Sequence, residues 1–174
     1  MTDRTPTRTT NLDRYGNAAL PWSRAHSELV KGSTGPDTTH FLGTVGPDGR
    51  PHVAGVGAVW YDGALYFTSN LAARKARNLV ANPACTIAVK LAGIDLTLAG
   101  TAVRASDATT LERIAAIYRD GGWPAAVAGD ALTAPFSAPS AGPPPWHLFR
   151  FTFDTVVGVA GAEPFGATRW DFAR

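Results

Sequence analysis

The sequence predicts a mainly β protein built as an antiparallel barrel with a few flanking helices. Three observations predict it. Short apolar segments rich in β-branched and aromatic residues recur from His40 onward. Most are joined by tight-turn signals, among them Gly46-Pro47-Asp48-Gly49, Asp62-Gly63 and the turn around Gly93. Helical periodicity is confined to two or three stretches, too few to alternate with the strands as a parallel sheet requires.

Along the chain, residues 1–20 are polar, rich in Thr and Arg, and read as a flexible N-terminal arm; residues 21–174 read as a single domain. "WSRAHSELVKG" is helical, with Ser23 as the expected N-cap, Trp22, Ala25, Leu29 and Val30 on one stripe, and Gly32 as the stop. A Gly/Ser/Thr/Pro linker follows. "HFLGTV" and "RPHVAGVGAVWY" form a hairpin, and "ALYFTS" returns after Asp62-Gly63. A short cationic helix ends at Asn82-Pro83. "ACTIAVKLA" and "IDLTLAGTAVRA" make a second hairpin. In "SDATTLERIAAIYRDGG", Ser106 or Asp107 caps a helix whose buried stripe is Leu111, Ile114, Ala115 and Tyr118, ended by Gly121. Residues 122–145 carry six of the 13 prolines, too long and too broken for a simple connection. A flap over a site and a wrap around the barrel both remain open. "WHLFRFTFDTVVGVA" supplies one or two last strands before the tail.

The composition sets bounds on function. A hydrophobic fraction of 45% and a charged fraction of 17% describe an ordinary globular chain. A net charge of +2 is too mild to call for nucleic acid. The start lacks the apolar core of a secretory signal, and no apolar run nears the ~20 residues of a membrane span. The single Cys85 sits in an apolar run without a partner and reads as a small buried hydrophobe. A cytoplasmic protein without nucleic-acid or membrane partners is the expectation.

The chain has no P-loop, no dinucleotide fingerprint, no nucleophile elbow and no zinc-protease motif. His26, His40, His52 and His147 show no ligand spacing, so no metal site is expected. With no clear nucleophile in view, an enzyme of this sequence would leave the chemistry to a cofactor.

The stretch "TSNLAARKARNLVANPA" gathers Arg74, Lys75 and Arg77 at the start of a helix. Cations there oppose the helix dipole, at about 0.3–1 kcal/mol each, unless an anion is bound. Thr68 and Ser69 add hydroxyl donors. A solvated basic face competes with a phosphate site as the reading. In the strand before it, alternation puts Val53, Gly55, Gly57 and Val59 on one face and His52, Ala54, Val56, Ala58 and Trp60 on the other. Two glycines at i and i+2 bare the backbone, as a flat ligand would need; room for a bulky neighbour or a barrel bend explains them equally.

The run "FLGTVGPDGRPHVAGVGAVWYDGALYFTSNLAARKARNLVANPACTIAV" resembles the split β-barrel flavin and deazaflavin oxidoreductases, relatives of pyridoxamine 5′-phosphate oxidase, most specifically in "YFTSNLAARKARNLVANP". The tail "FGATRWDF" resembles that of the branch using the deazaflavin coenzyme F-420 in place of FMN. The resemblance implies a six-stranded split barrel that forms a homodimer with cofactor sites at the interface. It implies phosphate contacts at Thr68, Ser69, Arg74 and Lys75, with Arg77 and Asn78 behind them. It implies His52, Val53, Ala54, Gly55 and Val56 beside the ring, and Trp170 closing the pocket. The nearly uncharged strand "HVAGVGAVWY" departs from the basic strand of the true vitamin B6 oxidases, and a neutral or aromatic substrate is the expectation. The function implied is hydride transfer from a deazaflavin to an unsaturated small molecule, with His52 as a candidate acid. FMN chemistry and a non-catalytic flavin or haem carrier, ligated through His147 or His26, are the alternatives.

Overall fold

The computed structural model describes residues 4–33 and 38–173. Its elements are β1 (Arg8–Asn11), α1 (Trp22–Gly32), β2 (His40–Val45), β3 (Pro51–Val56), β4 (Ala58–Tyr61), β5 (Ala64–Ser69), α2 (Arg74–Ala81), β6 (Ala84–Leu91), β7 (Ile94–Ala105), α3 (Ala108–Asp120), β8 (Ala126–Ala128), β9 (Ala131–Thr133), β10 (His147–Ala160) and β11 (Ala167–Asp171). The linker expected after Gly32 lies largely outside the described residues.

All the pairings are antiparallel, in the order β1-β11-β10-β7-β6-β2-β3, with β5 on β10 and β4 on β5. β10 organises the barrel. One of its edges pairs with β7 throughout, while the other is shared: His147–Phe151 meets β5, and Thr155–Val159 meets β11. The register shifts between Phe153 and Thr155, where Gly100 of β7 lies so close that a Cβ would stand 2.0 Å from the Thr152 carbonyl oxygen. Only glycine admits that approach.

The six predicted strand segments are all present as an antiparallel split barrel, the second interrupted at Gly57 into β3 and β4. β3 pairs only with β2, and β4 only with β5, so the sheet does not close hydrogen bond by hydrogen bond; the chain itself crosses the gap at Gly57. The Asp62-Gly63 turn takes φ of +46° and +77°, the left-handed pair that a two-residue hairpin requires.

Two apolar clusters follow from strand alternation. Leu42, Leu65, Phe67, Ile87, Leu98 and Phe151 face the barrel interior, and α1 lays Ala25 and Leu29 on it. Leu111, Ile114, Ala115 and Tyr118 of α3, the predicted stripe, cover Val59, Tyr66 and Leu148 on the outside. Asp107 caps α3 by accepting from the Thr110 N–H at 2.8 Å.

Two local expectations are corrected, and the Pro-rich segment proves to contain a short element. The supposed arm contains β1, paired along β11, because Thr9 and Thr10 suit an edge strand and β11 offers a free edge. Arg4 fastens the segment further, donating to the Phe153 and Ala173 carbonyls. The N-cap of α1 is Pro21, not Ser23, since packing of Trp22 against Trp170 and Phe172 starts the helix two residues earlier. The Pro-rich segment holds a small hairpin, β8-β9, tied to Trp146 through Leu132.

Candidate functional site

The site is the unpaired edge of β3 and the helix beside it. The Gly46 N–H donates to the Arg50 carbonyl at 2.9 Å in the β2–β3 turn. Alternation then makes Thr44/His52, Leu42/Ala54 and His40/Val56 the hydrogen-bonded pairs. The N–H and C=O groups of Val53 and Gly55 therefore point away from β2, to an edge where no described strand pairs. Pro51, with no N–H to offer, falls in the same outward phase.

The glycine strip is bare. A Cβ on Gly57 would meet nothing within 4 Å, and one on Gly55 would touch only the Thr39 methyl at 3.4 Å. Val53, on the same outer face, is 64% exposed, whereas Val56 is buried inside the barrel.

α2 closes the barrel end beside this edge, with Ala76, Asn78 and Leu79 turned inward. The buried Asn78 amide donates to the Thr44 hydroxyl at 3.0 Å. Arg74 and Lys75 thereby come to His52: the neutral form of His52 is favoured by its desolvation and then by the charges of Arg74 and Lys75. Lys75 is half-buried, and desolvation lowers its pKa. Among the described residues no carboxylate pairs with either cation, the first turn of α2 holds no acid, and no side chain caps it. Two cations and a helix N-terminus without an ion-paired carboxylate among the described residues form a corner suited to an anion.

The other predicted contacts divide. Arg77 does not face this corner; its guanidinium donates to the Ala72 carbonyl at 2.7 Å and braces the loop entering α2. Ser69 is buried and its hydroxyl donates to the Asn70 carbonyl, so it is turned from any ligand outside the barrel. Thr68 faces outward at the opposite end of the edge, near Gly57. Trp170 is a correction. It has no exposed surface and packs in the barrel core against Trp22, with Gly158 making room for its ring. A side chain with no exposed surface does not close over a ligand.

Two concavities meet the β3 edge. A broad one of about 1200 Å³ starts at the His52 end of β3 and runs over the outer face past Val53, Thr86, Thr101 and Arg150. A smaller cleft of about 460 Å³ opens beyond Gly57, walled by Thr68, Tyr118, Trp123 and Phe136. His52 is the one histidine lining either. His26 packs on Trp22 and Trp60, and His147 lies 3.9 Å from Asp130, itself bonded to Arg104.

Sequence reasoning missed Thr44 and the aromatic cleft. The first becomes visible only through strand pairing, and the second only when α3 and the Pro-rich segment are brought to Gly57.

Residues 29–160 match the family described as pyridoxamine 5′-phosphate oxidase. No curated protein sequence matches the chain significantly. Among solved structures, an F420 reductase is 22% identical, with a TM-score of 0.53 over 75% of this chain and 94% of its own. A pyridoxamine 5′-phosphate oxidase-related, FMN-binding protein from Nostoc punctiforme is 19% identical, with a TM-score of 0.55 over 88% of this chain and 90% of its own. A heme-binding protein from Mycobacterium smegmatis is 18% identical, with a TM-score of 0.56 over 86% of this chain and 59% of its own. At these identities the structural likeness shows the fold. Among the described residues no helix is long and apolar enough to cross a membrane.

Proposed function

Because the chain belongs to the pyridoxamine 5′-phosphate oxidase family, we propose that it is an oxidoreductase whose β3 edge holds a flavin-type cofactor, the deazaflavin coenzyme F-420 in preference to FMN. The observation that carries this is Lys75: a half-buried ammonium beside Arg74 and His52, with no acidic partner among the described residues, at the end of an unpaired strand edge. Burial of an uncompensated cation is costly, and a phosphate offsets that cost.

The residues present fit such a group. Arg74 and Lys75 would hold its phosphate, and the free N–H and C=O of Val53 and Gly55 would hold the polar edge of its ring. The bare glycines let the ring approach the backbone. His52, Ala54 and Val56 back this edge from inside. The preference for the deazaflavin rests on the resemblance of "FGATRWDF" and is supported by the F420 reductase among the structural neighbours.

A reduced deazaflavin supplies a hydride when bound. An acceptor C=C or C=O bond would need one proton besides that hydride to complete a two-electron reduction. The protein's share is position: the phosphate corner and the backbone edge would hold the two ends of one ligand, fixing the reactive ring against the acceptor. In this reading the proton comes from solvent, since desolvation and then Arg74 and Lys75 disfavour the protonated form of His52.

In this reading the chain works in the cytoplasm as a homodimer, with its cofactor sites where the two outer faces meet. Phe41, Val45 and Val53 leave an exposed apolar stripe across β2 and β3 that a second copy would cover.

The test is a parallel titration with coenzyme F-420, FMN and haemin, followed by quenching of the five tryptophans. F-420 is expected to bind most tightly, and Lys75→Ala to weaken it by ~1.5–3 kcal/mol, the worth of a charge-assisted contact. Tight FMN binding with no F-420 response would overturn the cofactor choice. Unchanged affinity in Lys75→Ala would return the cluster to a solvated basic face.

A further inference from the structure

The helix that carries Arg74 and Lys75 begins without a cap of its own. Its N-cap is Ala73, whose side chain cannot accept a hydrogen bond, and no other side chain supplies a cap bond there. A start this bare needs another anchor if two cations are to be held in one place. The turn at residues 70–73 provides it.

Asn70 builds that turn with its backbone and with both ends of its side chain. Its carbonyl accepts from the Ala73 N–H at 3.0 Å and from the Ser69 hydroxyl at 3.1 Å. Its side-chain oxygen accepts from the Ala72 N–H at 2.8 Å, closing an Asx turn. Its side-chain amide leaves the turn and donates to the Pro143 carbonyl at 2.9 Å. One side chain thus holds both the entrance of α2 and the end of the Pro-rich segment, 73 residues further along the chain.

That end is itself fixed to the barrel. The Trp146 ring is buried, and its indole N–H is shared between the Ala141 and Gly142 carbonyls at 3.4 and 3.3 Å. Trp146 also exchanges two backbone hydrogen bonds with Leu132 of β9, at 2.8 and 2.9 Å. The next residue, His147, pairs with Ser69, the neighbour of Asn70. A bond from Asn70 to Pro143 therefore carries the rigidity of this end into the turn.

We propose that Asn70 is a positioning residue: by tying the start of α2 to the fixed end of the Pro-rich segment, it sets Arg74 and Lys75 in the anion corner. The proposal deepens the reading of that corner and rests on it. Asn70 and Asn78 divide the work. Asn78 anchors the body of the helix to Thr44, and Asn70 fixes its first turn. The Pro-rich segment is then a strap whose seating is felt at the phosphate.

The experiment uses the full-length chain and inorganic phosphate, with affinity from calorimetry. The His52 pKa is followed by NMR of its imidazole protons in phosphate-free buffer. His52 reads the placement of the cations because desolvation, and then Arg74 and Lys75, disfavour its protonated form. Asn70→Ser keeps an oxygen that can accept from the Ala72 N–H but is too short to reach Pro143; Asn70→Ala loses both bonds. Phosphate affinity is expected to fall about threefold in Asn70→Ser and about tenfold in Asn70→Ala, with the His52 pKa rising in the same order. From the strap side, Trp146→Phe keeps an aromatic ring and removes the indole donor. It is expected to lower phosphate affinity about threefold in the parent and to add nothing in Asn70→Ala. Affinity and His52 unchanged in both Asn70 variants would overturn the proposal. So would lower affinity with His52 unmoved, which makes Asn70 a direct contact, or a Trp146→Phe effect that is absent in the parent or persists in Asn70→Ala. The corner fails separately: a parent that binds no phosphate sinks it, while His52 in phosphate-free protein still decides the role of Asn70.

Discussion

The Asn78 side chain donates to the Thr44 hydroxyl at 3.0 Å, and both residues are buried where α2 meets β2. This bond joins the cationic helix to the strand hairpin that carries His52 and the free β3 edge. Truncating it in Asn78→Ala leaves the Thr44 hydroxyl without that donor. A loss of about 1–3 kcal/mol in denaturant-measured stability is expected. Because the same bond sets Arg74 and Lys75 against His52, phosphate affinity should fall as well. Stability lost with phosphate affinity intact would separate the helix anchor from the site.

His52 reports on the anion corner. Desolvation, and then Arg74 and Lys75, lower its pKa. A phosphate bound by those cations cancels their repulsion of the imidazolium, so the His52 pKa should rise on saturation with inorganic phosphate. The check is an NMR titration of the imidazole protons with and without phosphate, repeated in Lys75→Ala, where both the starting depression and the rise should shrink. An unmoved His52 would mean that the anion binds elsewhere.

His40 sets part of the acid sensitivity of the fold. It is fully buried on the inner face of β2, its Nε2 is 3.3 Å from the Ser33 hydroxyl, and burial pushes its pKa from 6.5 down to about 4. Above pH 6.5 both folded and unfolded states hold it neutral. Between 6.5 and 4 the unfolded chain binds a proton that the folded one refuses, so stability falls as pH falls through that window. The whole depression is worth about 2–4 kcal/mol. His52 and His147 contribute in the same direction. The contribution of His40 is therefore the difference between the parent and His40→Gln, followed by urea unfolding from pH 7 to pH 4; parallel curves would refute it.

The outer face of β2 and β3 tests the homodimer. Phe41 is 50% exposed and sits directly across from Gly55. A glutamate there should shift the species seen by light scattering from dimer to monomer while leaving the thermal midpoint within a few degrees, since no core contact is lost. A parent protein that is already monomeric would place the cofactor sites within single chains.

Much of this protein could be read locally. Gly46-Pro47-Asp48-Gly49, Asp62-Gly63 and Gly93 announced the hairpins because left-handed backbone is a property of one or two residues. The α3 stripe of Leu111, Ile114, Ala115 and Tyr118 followed from the 3.6-residue period, and the cap by Asp107 from one side chain's reach. The closeness of Arg74 and Lys75 in the chain marked the candidate anion corner for the same reason: both lie in the first turn of one short helix.

Tertiary structure decided what depends on partners distant in the chain. Trp170 carries the same aromatic ring whether it closes a pocket or fills a core; only the pairing of β11 with β10 and β1, and the groove left by Gly158, placed it inside. Ser69 turned inward and Thr68 outward because β5 joined β10 in one register, and a shift by one residue would have exchanged them. The aromatic cleft needed Tyr118, Trp123 and Phe136 brought onto Gly57 across more than sixty residues of chain. Local rules act through neighbouring dihedrals and side chains, so the sequence alone determined turns, caps and faces; which face meets which is settled by burial summed over the whole barrel, and no segment carries that information by itself.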